Sequence, residues 1–186
     1  MGRVISFLIL VALAGLSARA AAAGMDVDYA RSRVEVGVKS TVDSFTGRLE
    51  KYRVSVEWGP SDPLPAKARM SFDFADLKTG DTDRDGAMLK WLGHDSQPGG
   101  EFVLGGWRRE GTTNLATGEL TIHGVKREVA IPVVAGQTNG VWVVDGEALL
   151  DYRDFGLPKI RKALVLTVNP LLRVRFHVVA KAAVKS

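Results

Sequence analysis

Hydrophobic and polar residues alternate with period two along most of the chain beyond residue 30. In RVEVGVKS, Val34, Val36 and Val38 share one face, and Glu35, Gly37 and Lys39 share the other. YRVSVEWGPSDP repeats this with Tyr52, Val54, Val56 and Trp58, until Gly59, Pro60, Asp62 and Pro63 stop the run. AKARMSFDF sets Ala68, Met70, Phe72 and Phe74 against Lys67, Arg69, Ser71 and Asp73. Strict alternation over such lengths predicts antiparallel strands with one buried face. The second half continues with strands expected over 101–108, 119–123, 126–134, 141–152 and 163–180. The last is long enough for two strands or one bent strand, because Pro170 cannot donate to a ladder.

Short-range signals mark the breaks. GELTIHGVKREVAIPV, residues 118–133, reads as a hairpin bending at His123 and Gly124, with Arg127 the one exception in an otherwise apolar face. A single stretch, TGDTDRDGAMLKWLG at 79–93, reads as helix. Asp81, Asp83 and Asp85 suit the positive end of its dipole, Met88, Leu89, Trp91 and Leu92 give an apolar side, and Gly93 ends it. Eight or so hairpin-connected strands with one short helix around 81–92 make an all-β domain, either a sandwich or an up-and-down barrel. A barrel of about eight strands holds packed side chains or one small ligand, so its apolar face is core, pocket or both.

The N-terminus differs in kind. Arg3 is followed by a run from Val4 to Leu16 that is apolar or small except for Ser6, and then by Ser17, Ala18, Arg19 and Ala20. This is the pattern of a secretory signal peptide over 1–20, with cleavage as late as Ala23, leaving one domain over 24–186. The expected location is the bacterial periplasm. No cysteine occurs anywhere, which excludes a disulfide framework. Loss of Arg3 and Arg19 would remove two of the formal +4 charges, leaving a nearly balanced domain with no case for nucleic acid.

Candidate chemistry is thin. His94, His123 and His177 are the three histidines, with no HxH or HExxH spacing, so no metal site is expected. There is no GxSxG elbow, and Ser44, Ser55, Ser61, Ser71 and Ser96 have no local activating partner. DTDRDG resembles the start of a calcium loop, but the required glutamate is replaced by Leu92. The sharpest charge feature is YRDFGLPKIRK, where Arg153, Lys159, Arg161 and Lys162 face only Asp154. It reads as a solvated loop or as a rim for an anionic head or a peripheral membrane contact. No catalytic set and no cofactor motif emerge, and His123 has no partner in reach along the chain, so an enzyme is not expected.

TGELTIHGVKREVAIPV resembles the signature hairpin of the YceI-like family, the periplasmic, polyisoprenoid-binding, lipocalin-like proteins. SRVEVGVKS, FTGRLEKYRVSVEW, TGDTDRD, GEFVL, RDFGL and VRFHVVA follow the family in order, over essentially all of 26–182. The chain departs from it around the helix, where Gly86, Ala87 and Met88 follow Arg84-Asp85, at Gln97-Pro98, and at Tyr152. The resemblance implies a single eight-stranded antiparallel up-and-down barrel around an elongated amphiphile, an isoprenoid or fatty-acyl-like molecule. The expected lining is Val36, Val38, Phe45, Phe72, Phe102, Ile122, Ile131 and Phe176, with Arg153, Lys159 and Arg161 as anionic-headgroup contacts. The competing expectation is a barrel filled by its own side chains that acts on an envelope or respiratory protein.

Overall fold

The computed structural model describes residues 23–58, 64–162 and 166–183, so the signal sequence expected over 1–20 lies outside the described residues. The strands are β1 (Ala23–Val27), β2 (Arg33–Lys39), β3 (Ser44–Leu49), β4 (Tyr52–Trp58), β5 (Pro65–Asp73), β6 (Leu77–Lys78), β7 (Gly99–Glu110), β8 (Thr113–Ile122), β9 (Val125–Thr138), β10 (Val141–Asp151), β11 (Arg161–Lys162), β12 (Leu166–Thr167) and β13 (Leu171–Ala182). One α-helix, α1 (Thr82–Leu92), joins β6 to β7. The main sheet runs β1-β4-β5-β7-β8-β9-β10-β13 and closes where β13 pairs with β1. The result is an eight-stranded antiparallel barrel. Closure removes the exposed edges that an open sheet would present.

Three of the eight staves are broken, one of them where β5 pairs with β4 and β6 with β3. β1 and β2 pair in succession with β13, and β4 and β3 lie in succession against them. The break after β1 is built locally. Ser32 donates its hydroxyl to the Asp28 carbonyl at 2.7 Å and accepts the Val179 N–H at 3.0 Å. The strand expected over 163–180 is likewise divided, with β12 ending at Thr167 and β13 starting after Pro170. Residues 163–165 lie outside the described part.

Turn chemistry follows from side-chain freedom. His123 (φ 51°) and Gly124 (φ 70°) both sit in the left-handed region, as do Asn139 and Gly140. A two-residue loop with both φ positive has the hairpin geometry that matches strand twist. The bend expected at His123-Gly124 is therefore a tight β8–β9 turn. Helix α1 begins at the Asp81 cap, whose carboxylate accepts the Arg84 N–H, and ends at Gly93 in the left-handed conformation. Its last residue, Leu92, joins Phe74, Tyr152, Leu157 and Val168 in a core cluster.

Pairing is not continuous around the barrel. β8 and β9 stay in register from Ile122↔Val125 to Asn114↔Val133, whereas β9 and β10 pair only from Thr138↔Val141 to Val133↔Gly146. Pro132 comes next in β9 and has no N–H to give, so the β10 ladder stops there. Residues 147–151 of β10 remain paired with β13 on their other side. A 3-10 turn, Tyr152–Phe155, lies where the two strands have parted, with Tyr152 and Phe155 buried and Gly156 against the Val125 side chain. The RDFGL stretch thus supplies packing where the wall lacks hydrogen bonds.

Candidate functional site

The inward faces of the strands enclose a cavity of about 800 Å³. Val36, Val38, Phe45, Phe72, Phe102, Ile122, Ile131 and Phe176 are among the residues that line it. One end is packed by tryptophans. Trp58 stacks on Trp142 with ring centroids 4.2 Å apart, and Trp107 Nε1 donates to the Pro65 carbonyl at 2.7 Å. Trp107 could not be placed by strict alternation, which puts Arg108 on the inner face. A register shift between Leu104 and Gly106 turns Trp107 inward instead and leaves Arg108 exposed.

The cavity opens at the other end. Apart from Arg69, its solvent-exposed lining residues are Val42 and Asp43 in the β2–β3 turn and Asp81, Asp83 and Ala87 along the first half of α1. Arg84 spans this region: its guanidinium lies 4.1 Å from the Phe45 ring centroid and 3.6 Å from the Asp81 carboxylate. A cation over a ring face is attracted by the ring quadrupole. Beneath it, Asp85 is buried and accepts hydrogen bonds from the Thr79 N–H and hydroxyl at 3.0 and 2.6 Å. These two bonds hold the helix start to the segment that leads from β6.

Arg153, Lys159 and Arg161 take no part in the cavity wall. Arg153 forms a bidentate pair with Asp151, Nε donating to Oδ1 and Nη2 to Oδ2, and the two other cations are exposed on the segment after the 3-10 turn. Closeness in sequence to the motif says nothing about which way a loop cation turns. The residue at the opening that sequence reading missed is Arg84, hidden within the acidic run DTDRDG. Its signal is its place in the first turn of a helix that covers a barrel end.

The histidines are dispersed. His94 Nε2 contacts Asp73 at 2.7 Å and His177 Nδ1 contacts Asp145 at 2.7 Å, on different parts of the barrel. The Ala75 backbone N–H, followed by His94, holds the Asp73 carboxyl below its ordinary range. His123 lies in the turn and outside the cavity lining. Among the described residues, no group of three metal-ligating side chains comes together.

The YceI-like domain model matches residues 25–180. A search of the curated proteins finds no match. Among solved structures, Burkholderia cenocepacia BcnA superposes with a TM-score of 0.74 at 25% identity, covering 84% of this chain and 100% of its own. A polyisoprenoid binding domain from Saccharophagus degradans, described as implicated in plant cell wall breakdown, gives 0.66 at 15% identity, covering 87% and 99%. The Campylobacter jejuni YCEI protein gives 0.61 at 15% identity, covering 74% and 85%. A closed eight-stranded barrel, the signature hairpin and a domain match over nearly the whole described chain agree, and the protein belongs to the YceI-like family.

Proposed function

We propose that this protein is a periplasmic, non-catalytic carrier that holds an elongated apolar molecule, an isoprenoid or fatty-acyl-like amphiphile, inside its barrel. The observation that carries the reading is the cavity of about 800 Å³ walled by valines, leucines and aromatic rings. That volume lies toward the upper end of the roughly 300–1,000 Å³ typical of small-molecule sites. Burying an apolar chain there releases about 25 cal/mol per Å² removed from water, so few polar contacts are needed. A hollow interior favours a carrier over a barrel filled by its own side chains that acts on an envelope partner. The family membership and the polyisoprenoid binding domain among the structural neighbours point the same way.

In this reading the apolar chain lies against Val36, Val38, Phe45, Phe72, Phe102, Ile122, Ile131 and Phe176, and the polar head stays at the opening beside Arg84. Arg153, Lys159 and Arg161 lie outside the cavity wall and meet an anionic surface, not the head of the bound molecule. Secretion rests on the sequence pattern of residues 1–20. The test is displacement of a fluorescent apolar probe from the purified domain by prenyl and acyl compounds. Competitive, saturable displacement supports the carrier. Failure of any such compound to bind contradicts it.

A further inference from the structure

Three interior phenylalanine rings lie over interior glycines of the neighbouring strand. A Cβ placed on Gly100 would stand 2.6 Å from Phe72, one on Gly118 2.9 Å from Phe102, and one on Gly146 2.3 Å from Phe176. At Gly100 and Gly118 a backbone carbonyl also crowds the position, Thr121 at 2.9 Å and Val103 at 2.3 Å, so the backbone itself demands glycine there. Gly146 is different. Its three nearest atoms all belong to the Phe176 ring, and its φ lies outside the left-handed range. Nothing in the backbone requires glycine at 146. A glycine inside a strand otherwise weakens it and marks a close approach.

The cross-strand row explains what the close approach does. Val133, Gly146, Phe176 and Val34 are successive partners across β9, β10, β13 and β2. The Phe176 ring therefore leans across β10 toward the last pair before β9 and β10 part. Its Cζ, Cε1 and Cε2 stand 2.3, 2.7 and 3.0 Å from where a Cβ on Gly146 would be, so the ring occupies the space that a side chain at 146 would take.

We infer that Gly146 is a specificity-determining residue: by making room for the Phe176 ring it keeps the bore wide enough for a methyl-branched or ring-bearing apolar chain. A slender straight chain needs no such seat, and a narrower bore would grip it better, because dispersion attraction falls steeply across a gap. The inference rests on the carrier reading and names the ligand class within it. An alanine at 146 forces the ring off the wall by about 1 Å to reach ordinary contact, and that displacement goes into the lumen.

The test compares farnesol with dodecan-1-ol, which has the same head and main-chain length without the methyl branches or the double bonds, and includes saturated 3,7,11-trimethyldodecan-1-ol, which should follow farnesol. Wild type, Gly146→Ala, Gly146→Ala/Phe176→Leu and Phe176→Trp are assayed by probe displacement, with folding checked by circular dichroism. Gly146→Ala should weaken farnesol about tenfold, the scale on which overpacking is felt, and leave dodecanol within about threefold. The double variant should restore farnesol. Phe176→Trp, which enlarges the ring without touching the glycine, should show the same discrimination even if Gly146→Ala folds poorly. Equal effects on both alcohols, or none on either, overturn the inference. Wild type binding neither alcohol overturns the carrier reading itself.

Discussion

Phe155 offers the sharpest test of how this barrel is held together. It is 2% exposed and lies in the 3-10 turn that packs where β9 and β10 have no ladder between them. Phe155→Ala removes a ring from that seam. Truncating a buried phenylalanine costs about 3–5 kcal/mol, the transfer term plus the space left behind. Phe155 also borders the cavity, so one side of the ring already lacks neighbours. That places the expected loss near the lower end, at about 3 kcal/mol. For a domain of this size each kcal/mol shifts the melting temperature by about 2–4 °C, which gives a fall of roughly 10 °C. Urea denaturation followed by tryptophan fluorescence measures the free energy, and hydrogen exchange should place the largest gain in exchange on residues 125–132. Leu149→Ala, on the preceding strand β10 and 59% exposed, is the control and should change stability by under about 0.5 kcal/mol. A loss below about 1 kcal/mol for Phe155→Ala would refute the idea that side-chain packing replaces the missing ladder.

Other perturbations follow from the same geometry. His123→Asn should be neutral in both stability and ligand binding, while His123→Val, β-branched at φ 51°, should cost about 1–2 kcal/mol and leave binding intact; loss of binding in His123→Asn would point to a direct role. Asp81→Ala should cost about 1 kcal/mol through loss of the helix cap, and Asp81→Asn much less, measured by thermal unfolding. The carboxyls of Asp73, Asp81 and Asp151 are held below the ordinary 3.8, chiefly by the Ala75 N–H, the Arg84 N–H and the Arg153 guanidinium respectively. Folding thus lowers these proton affinities, so the stabilisation is complete above the ordinary value and is lost as pH falls through the lowered ones. Unfolding curves from pH 6 to pH 2 should show this acid limb, and Asp73→Asn should flatten it.

The strand pattern and the helix were legible because both depend on local periodicity. Val34–Val36–Val38 and Ala68–Met70–Phe72 could face the lumen in only one register, since a one-residue slip would turn the apolar set to solvent. The lining was readable for the same reason. What escaped are features set by chain crossings. The Gly105-Gly106 pair that turns Trp107 inward is a bulge, visible only against β8. Arg127 breaks an apolar face because it lies on the part of β9 that β10 has left, where it is exposed and donates to the Lys126 carbonyl. Arg153, Lys159 and Arg161 stood out as charges in a row, yet a loop has no periodicity from which to read direction. Gly146 has no reason in the local pattern of β10, because what occupies the space of its missing side chain is Phe176 on another strand.

The most direct test of the proposed carrier role is native mass spectrometry of the protein purified from the cells that make it, with organic extraction of whatever it holds. The account predicts a stoichiometric apolar or amphiphilic species, released by extraction, whose mass gives the chain length and the head. A clean apo mass that stays unchanged after incubation with prenyl and fatty-acyl compounds would contradict it.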